Sequence, residues 1–104
     1  MAVAPPYVAY STATVVHVPA WEWEVVYPAL QAMKGHVQEY PGCQSFDAFV
    51  AAGTDGQIHL HSYTTWDTAE QRDVYLERGY TLERLLKDLD VTGAERSLVM
   101  EKVF

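Results

Sequence analysis

Six side chains able to do chemistry stand at telling positions in this 104-residue sequence: His36, Cys43, His59, His61, Trp66 and Tyr75. His59 and His61 lie two apart in a strand-like run, so both rings project from one face and can supply two ligands to a metal. A centre needs a third ligand. His17 supplies it only if its parity on the first strand agrees, which the sequence does not decide. The pair is read as two hydrogen-bonded polar rings, and no metal is expected. His36, beside Gly35, is the candidate general base, with a plain surface histidine as the alternative. Cys43 follows a Pro-Gly turn without a second thiol or an adjacent base, and reads as a small buried hydrophobe. Trp66 closes a strand just where a helix begins, which sets a large ring beside the pocket such a corner makes. No Gly-rich phosphate loop, nucleophile elbow or paired-cysteine motif occurs, so no cofactor held by those devices is expected.

Fourteen acidic against seven basic residues give a formal charge of −7. The basic residues are scattered among acids rather than gathered into a stripe. Nucleic acid and anionic membrane surfaces both need such a stripe, and neither is expected as a partner. No apolar run is long enough to cross a bilayer, and Met1–Pro6 lacks the charge and apolar stretch of a secretion signal. A lone cysteine excludes an internal disulfide and fits a reducing compartment. The expectation is a single cytoplasmic domain over residues 1–104 with a small apolar or aromatic ligand.

The elements that must position these side chains follow from spacing. Residues 7–18 are rich in strand formers and close at Pro19. From Trp21 to Tyr40, Trp23, Val26, Tyr27, Leu30, Met33 and Val37 recur at helical spacing. Pro28 predicts either a kink or a main helix starting there after a short first turn. Tyr40-Pro41-Gly42 ends the helix and reverses the chain. Strands follow over Gln44–Ala52 and Gln57–Trp66, with a turn in Gly53–Gly56. Asp67, with Glu70 in a capping box, opens a helix that breaks at Gly79-Tyr80, and Thr81 recaps it. A turn over Asp90–Gly93 leads to a last strand, Glu95–Phe104.

The order β-α-β-β-α-β is the ferredoxin-like arrangement, a four-stranded antiparallel sheet with two helices on one face. The helix-free face is expected to carry Phe49, Tyr63, Val99 and Val103. An apolar face of that size calls for a second copy, and two sheets packed face to face make a dimeric α/β barrel, hence a homodimer.

Tyr40-Pro41-Gly42-Cys43-Gln44-Ser45-Phe46, Trp66-Asp67-Thr68-Ala69-Glu70 and the closing run from Arg96 to Phe104 resemble the antibiotic biosynthesis monooxygenase family of dimeric α/β barrels. The resemblance covers nearly the whole chain. It implies a cavity between sheet and helices lined by Trp66, with Tyr75 above it hydrogen-bonding a phenol or ketone oxygen. Haem-degrading relatives carry a histidine near the place of Tyr75 and an asparagine on the first strand. Here the first strand offers only Ser11, Thr12 and Thr14, so haem degradation is not implied.

Three functions are carried forward. The first is a cofactor-independent monooxygenase of an aromatic phenol or quinol, with Tyr75 and His36 catalytic and Trp66, Trp23, Tyr27, Met33 and Phe46 shaping the pocket. The second is a small-molecule-binding or structural dimer that keeps the fold without the chemistry. The third is a lyase or isomerase using His36 or Asp47 as base.

Overall fold

Alternation of side chains along each strand decides which residues meet the helices and which do not. The computed structural model describes residues 7–53, 55–91 and 94–104. The elements are β1 (Ala9–Pro19), a 3-10 turn (Ala20–Glu22), α1 (Trp23–Gln38), β2 (Cys43–Ala52), β3 (Gln57–Trp66), α2 (Ala69–Arg78), α3 (Leu82–Asp88) and β4 (Ala94–Lys102). The strands pair antiparallel in the order β2-β3-β1-β4. This is the ferredoxin-like β-α-β-β-α-β fold, its second helix divided in two.

α1 buries Val26, Leu30, Met33 and Val37, a four-three-four spacing that puts all four on one stripe. It runs unbroken through Pro28 from a start five residues earlier, so the fold does not use a separate first turn ending at Pro28. Gly42 reverses the chain at φ 84°, where a side chain would be strained. In the loop before β3, Gly56 takes φ 76° and the Asp55 carboxylate accepts the Gln57 amide at 3.1 Å; Thr54 lies outside the described residues. Thr92 and Gly93, in the turn expected before β4, also lie outside them.

Two expectations are corrected. Thr68, not Asp67, caps α2: its Oγ1 accepts the Gln71 amide at 3.1 Å. Asp67 is already engaged, accepting from the Gln44 amide side chain at 2.7 Å beside the bulge that opens β2. The second correction concerns the open face of the sheet. Val99 pairs with Thr12, and Thr12 with Thr64, both buried under the helices, so Val99 shares their side. Val103 lies beyond the end of β4, where no strand pairing assigns it to either face. Leu98 and Met100 stand on the open face instead, through their partners Ala13 and Ser11. Leu98, Val99 and Met100 are all apolar, so alternation within β4 cannot choose between the faces, and pairing chooses. Phe49 and Tyr63 are on the open face as expected, their rings edge to face at 6.0 Å.

The core between sheet and helices includes Val16, Val18, Leu60 and Trp66 from the strands and Tyr75, Leu82, Leu85 and Leu86 from α2 and α3. Arg72 ties α2 across the sheet. Its guanidinium lies over the Tyr10 ring, donates to the Met100 carbonyl at 3.2 Å and reaches Glu101 at 3.9 Å. No helix among the described residues is long and apolar enough to cross a membrane.

The cap assignment is directly measurable. In urea denaturation Thr68→Ala is expected to cost about 1 kcal/mol, the usual loss for a threonine cap. Asp67→Ala, which removes an exposed side-chain bond, is expected to cost less than half of that.

Candidate active site between the sheet and the α2–α3 pair

Where the pleat would ordinarily place apolar residues, the helix-facing side of this sheet carries a patch of hydroxyls. Thr12 and Thr14 of β1 stand opposite Thr64 and Ser62 of β3, and Thr14 also faces Ser97 of β4. Thr12, Ser62 and Thr64 are buried. Such groups are costly in a core unless they are hydrogen-bonded. Most of these are. The Trp66 indole donates to Thr64 Oγ1 at 2.8 Å, Thr64 and Thr12 share a bond of 2.5 Å, and Thr14 and Ser97 lie 3.3 Å apart. Over this floor is a cavity of about 320 Å³, roofed by Tyr75, Leu76, Leu82 and Arg84, with Glu83 and Lys87 at its mouth.

The roof is fixed by aromatic stacking. Tyr75 lies over Trp66 with ring centroids 4.9 Å apart and 28° between planes, and Tyr40 meets Tyr75 edge-on at 5.9 Å. Trp66 is wholly buried and Tyr75 nearly so. The Tyr75 hydroxyl donates to the Tyr80 carbonyl at 3.3 Å. Burial pushes its pKa well above the ordinary phenol value, with the nearby Cys43 adding to this and Arg84 partly opposing it. Tyr75 therefore stays a neutral phenol, its one proton given to the Tyr80 carbonyl.

The break between α2 and α3 follows from the same ring. A Cβ on Gly79 would lie 2.4 Å from Tyr75 Cδ1 and 2.6 Å from its carbonyl oxygen. Only glycine lets the chain pass so close. Arg84 then donates to the carbonyls of Gly79, Leu76 and Glu77, satisfying the end of α2 from the next helix. Thr81 Oγ1 accepts the Arg84 amide at 3.4 Å and caps α3, as expected.

The residues singled out from the sequence fall into three places. Of Trp66, Tyr75 and Phe46 only Tyr75 lines the inner cavity; Trp66 stacks behind it, and Phe46, buried, stands opposite Thr64 in the register. Met33 and His36 line a separate outer groove of about 880 Å³ between α1 and the α2–α3 break, with Tyr40, Arg78 and Tyr80. Arg84 borders both spaces. Trp23 and Tyr27 pack on each other at 5.7 Å and line neither. His17 does have the parity of His59 and His61: it pairs with His59, and the two rings stack at 4.0 Å on the open face. Among the described residues no group of three or more histidine, cysteine or acidic side chains is placed to hold a metal. Cys43 is half-buried, which raises its pKa, so its thiol is a poor nucleophile. The hydroxyl floor was missed from the sequence. Its signal is Thr or Ser at alternate positions, 12 and 14, then 62 and 64, on the parity of Leu60 and Trp66.

No protein-family model matches the chain, and no curated protein matches it. Solved structures do. A Nitrosomonas europaea protein provisionally described as an antibiotic biosynthesis monooxygenase superposes with a TM-score of 0.73 at 14% identity, over 98% of this chain and 97% of that one. An anthrone oxidase-like protein gives 0.69 at 19% identity, over 100% of this chain and 48% of that one. A dimeric ferredoxin-like protein from an uncultured marine organism gives 0.63 at 9% identity, covering 92% of this chain and 96% of that one. At such identities the likeness shows a shared fold.

Two substitutions separate packing from chemistry here. Trp66→Ala removes a wholly buried ring and its indole bond, and is expected to cost about 3–5 kcal/mol in chemical denaturation. Tyr75→Phe keeps the stack and loses one hydroxyl, with an expected cost of about 1 kcal/mol.

Proposed function

We propose that this chain is a monooxygenase that oxidises an aromatic phenol or quinol with molecular oxygen, using no metal or organic cofactor, in the cavity between sheet and helices. The observation that carries the reading is the hydroxyl floor beneath the Trp66–Tyr75 stack. Its setting is a fold shared with an anthrone oxidase-like protein and with antibiotic biosynthesis monooxygenases. Oxygen reacts slowly with closed-shell molecules, so the substrate must supply the electrons, and it does so best as its oxyanion, its proton leaving to water at the cavity mouth. Preorganised hydroxyl donors stabilise that charge where bulk water is excluded. At the mouth Lys87 brings a positive charge and Glu83 a negative one.

For an anthrone-type substrate the balance is simple. A ring CH2 and O2 become a ring C=O and water: one oxygen atom enters the product, and the other leaves with the two hydrogens. Tyr75, its hydroxyl given to the Tyr80 carbonyl, contributes its ring to the wall of the space. Trp66 and Phe46 lie behind the lining, where Trp66 holds Tyr75 by stacking and Thr64 by its indole bond. His36 serves as base only for a substrate long enough to reach the outer groove past Arg84, along Met33; Trp23 and Tyr27 have no contact with the inner cavity to contribute. Incubating metal-free protein with anthrone or a naphthoquinol, oxygen uptake above buffer is expected, unchanged by chelator. No uptake across such a panel overturns the reading.

The working unit in this reading is a homodimer with the two open sheet faces packed together. Phe49 and Leu98 are each more than half exposed on that face, beside Tyr63, Val15 and Met100. Charge placed there would be buried without a partner. Sedimentation at micromolar concentration should give twice the chain mass for the native protein and the single chain mass for Leu98→Asp. A stable native monomer removes this part of the proposal.

A further inference from the structure

Three of the chain's four histidines, His17, His59 and His61, stand on the open face of the sheet, away from both cavities. The pleat puts them there, on the parity opposite to that of the buried Val16, Val18 and Leu60. His17 and His59 face each other across β1 and β3 with their rings stacked, 9° between planes. Asp55 attends that pair, its carboxylate 3.8 Å from His59 Nε2. A proton taken up there meets a negative charge on its own chain.

His61 is placed differently. Its row across the sheet runs from Phe49 of β2 through His61 to Val15 of β1 and Arg96 of β4. On one side of it lies the row of Asp47, Tyr63, Ala13 and Leu98, and on the other His59 and His17 between Ala51 and Ala94. Lys102, opposite Ala9, is the remaining charge on this face, at the far end of β4. Among the described residues no acid comes within ion-pair distance of the His61 ring. Asp47 is one row along on the edge strand and exposed to water. A proton on His61 therefore enters a row whose nearest members are apolar, with only water to hold it.

Imidazole is the side chain whose charge changes between about pH 5 and 8. In the homodimer the two open faces meet about a two-fold axis, so whatever one face gains the other gains too. One proton on each His61 puts two unpaired charges where water is excluded, which is costly. The sign follows. The dimer holds the neutral ring and the separated chains accept the proton, so association is strong above the imidazole range and is lost as pH falls through it.

We propose that His61 is a proton switch on the homodimer: neutral, it closes the contact between the two sheets, and protonated, it parts them. The inference rests on the homodimer reading and adds its regulation.

Sedimentation equilibrium at constant ionic strength, at about pH 7.5 and about pH 5.5, tests it on the native protein and on His61→Gln. The native Kd is expected to rise about hundredfold, tenfold for each of the two protons taken up on separation. His61→Gln keeps a polar side chain that does not titrate, and its Kd should change by less than about threefold. His61→Phe, also untitratable, should behave likewise and serves if the glutamine variant weakens the dimer at both pH values. Far-UV circular dichroism should be the same at both, since the switch acts between folded chains. A native Kd independent of pH, the native rise retained in both variants, or loss of the native circular dichroism in acid overturns the switch and leaves the homodimer standing. A native monomer at both pH values removes homodimer and switch together.

Discussion

The indole of Trp66 is completely buried, and its one N–H has to be met inside the protein. Much of the site can be traced to how that is done. Thr64 meets it from two residues earlier on the same strand, and Thr12 meets Thr64 from the neighbouring strand, so a polar chain enters what would otherwise be an apolar layer. On the other side of the indole, Tyr75 stacks and thereby sets where α2 runs. At Gly79 the backbone leaves α2 extended and so close to Tyr75 that no side chain fits, and α3 begins after the Thr81 cap. One ring thus fixes both floor and roof.

The cost of such a floor falls on stability. Three strands contribute hydroxyls where valine and leucine would bury more apolar surface, and each hydroxyl must find a partner or go unpaired. The fold offsets this on the same face of the sheet, with Val16, Val18 and Leu60 packed under α1 and α3. The apolar and polar halves are separated along the strands: β1 changes from Thr12 and Thr14 to Val16 and Val18 while keeping one parity. A ligand can therefore be held without opening the core.

Much of this was legible in the sequence. Gln57–Trp66 was recovered to the residue, because its alternation is bounded by Asp55-Gly56 on one side and a helix start on the other. The broken second helix was legible because glycine, then threonine, is a stop followed by a start. What failed did so for identifiable reasons. Asp67 and Thr68 are both good caps, and only the position of Gln44, set by a bulge, takes Asp67 away. Three successive apolar residues in β4 gave no parity. Tyr27 fits the helical stripe by spacing, yet it stays half exposed at the edge of the region α1 covers. The hydroxyl floor was the deepest miss. Threonine and serine in strands are ordinary, and only the pairing of β1 with β3 and β4 gathers five of them.

The division of the second helix has a consequence for how the cavity fills. A helix of seven residues such as α3 does not hold itself in water, since so few turns cannot repay the cost of nucleation. Its shape is borrowed from its leucines and from the Arg84 bonds to the end of α2. Most of the floor belongs to β1 and β3, the two inner strands of the sheet, the kind of element that opens last. The roof belongs to a segment that opens locally at a small fraction of the free energy of global unfolding. Rigid floor and yielding roof are thus divided by the topology itself, and traffic into the cavity needs no dedicated lid.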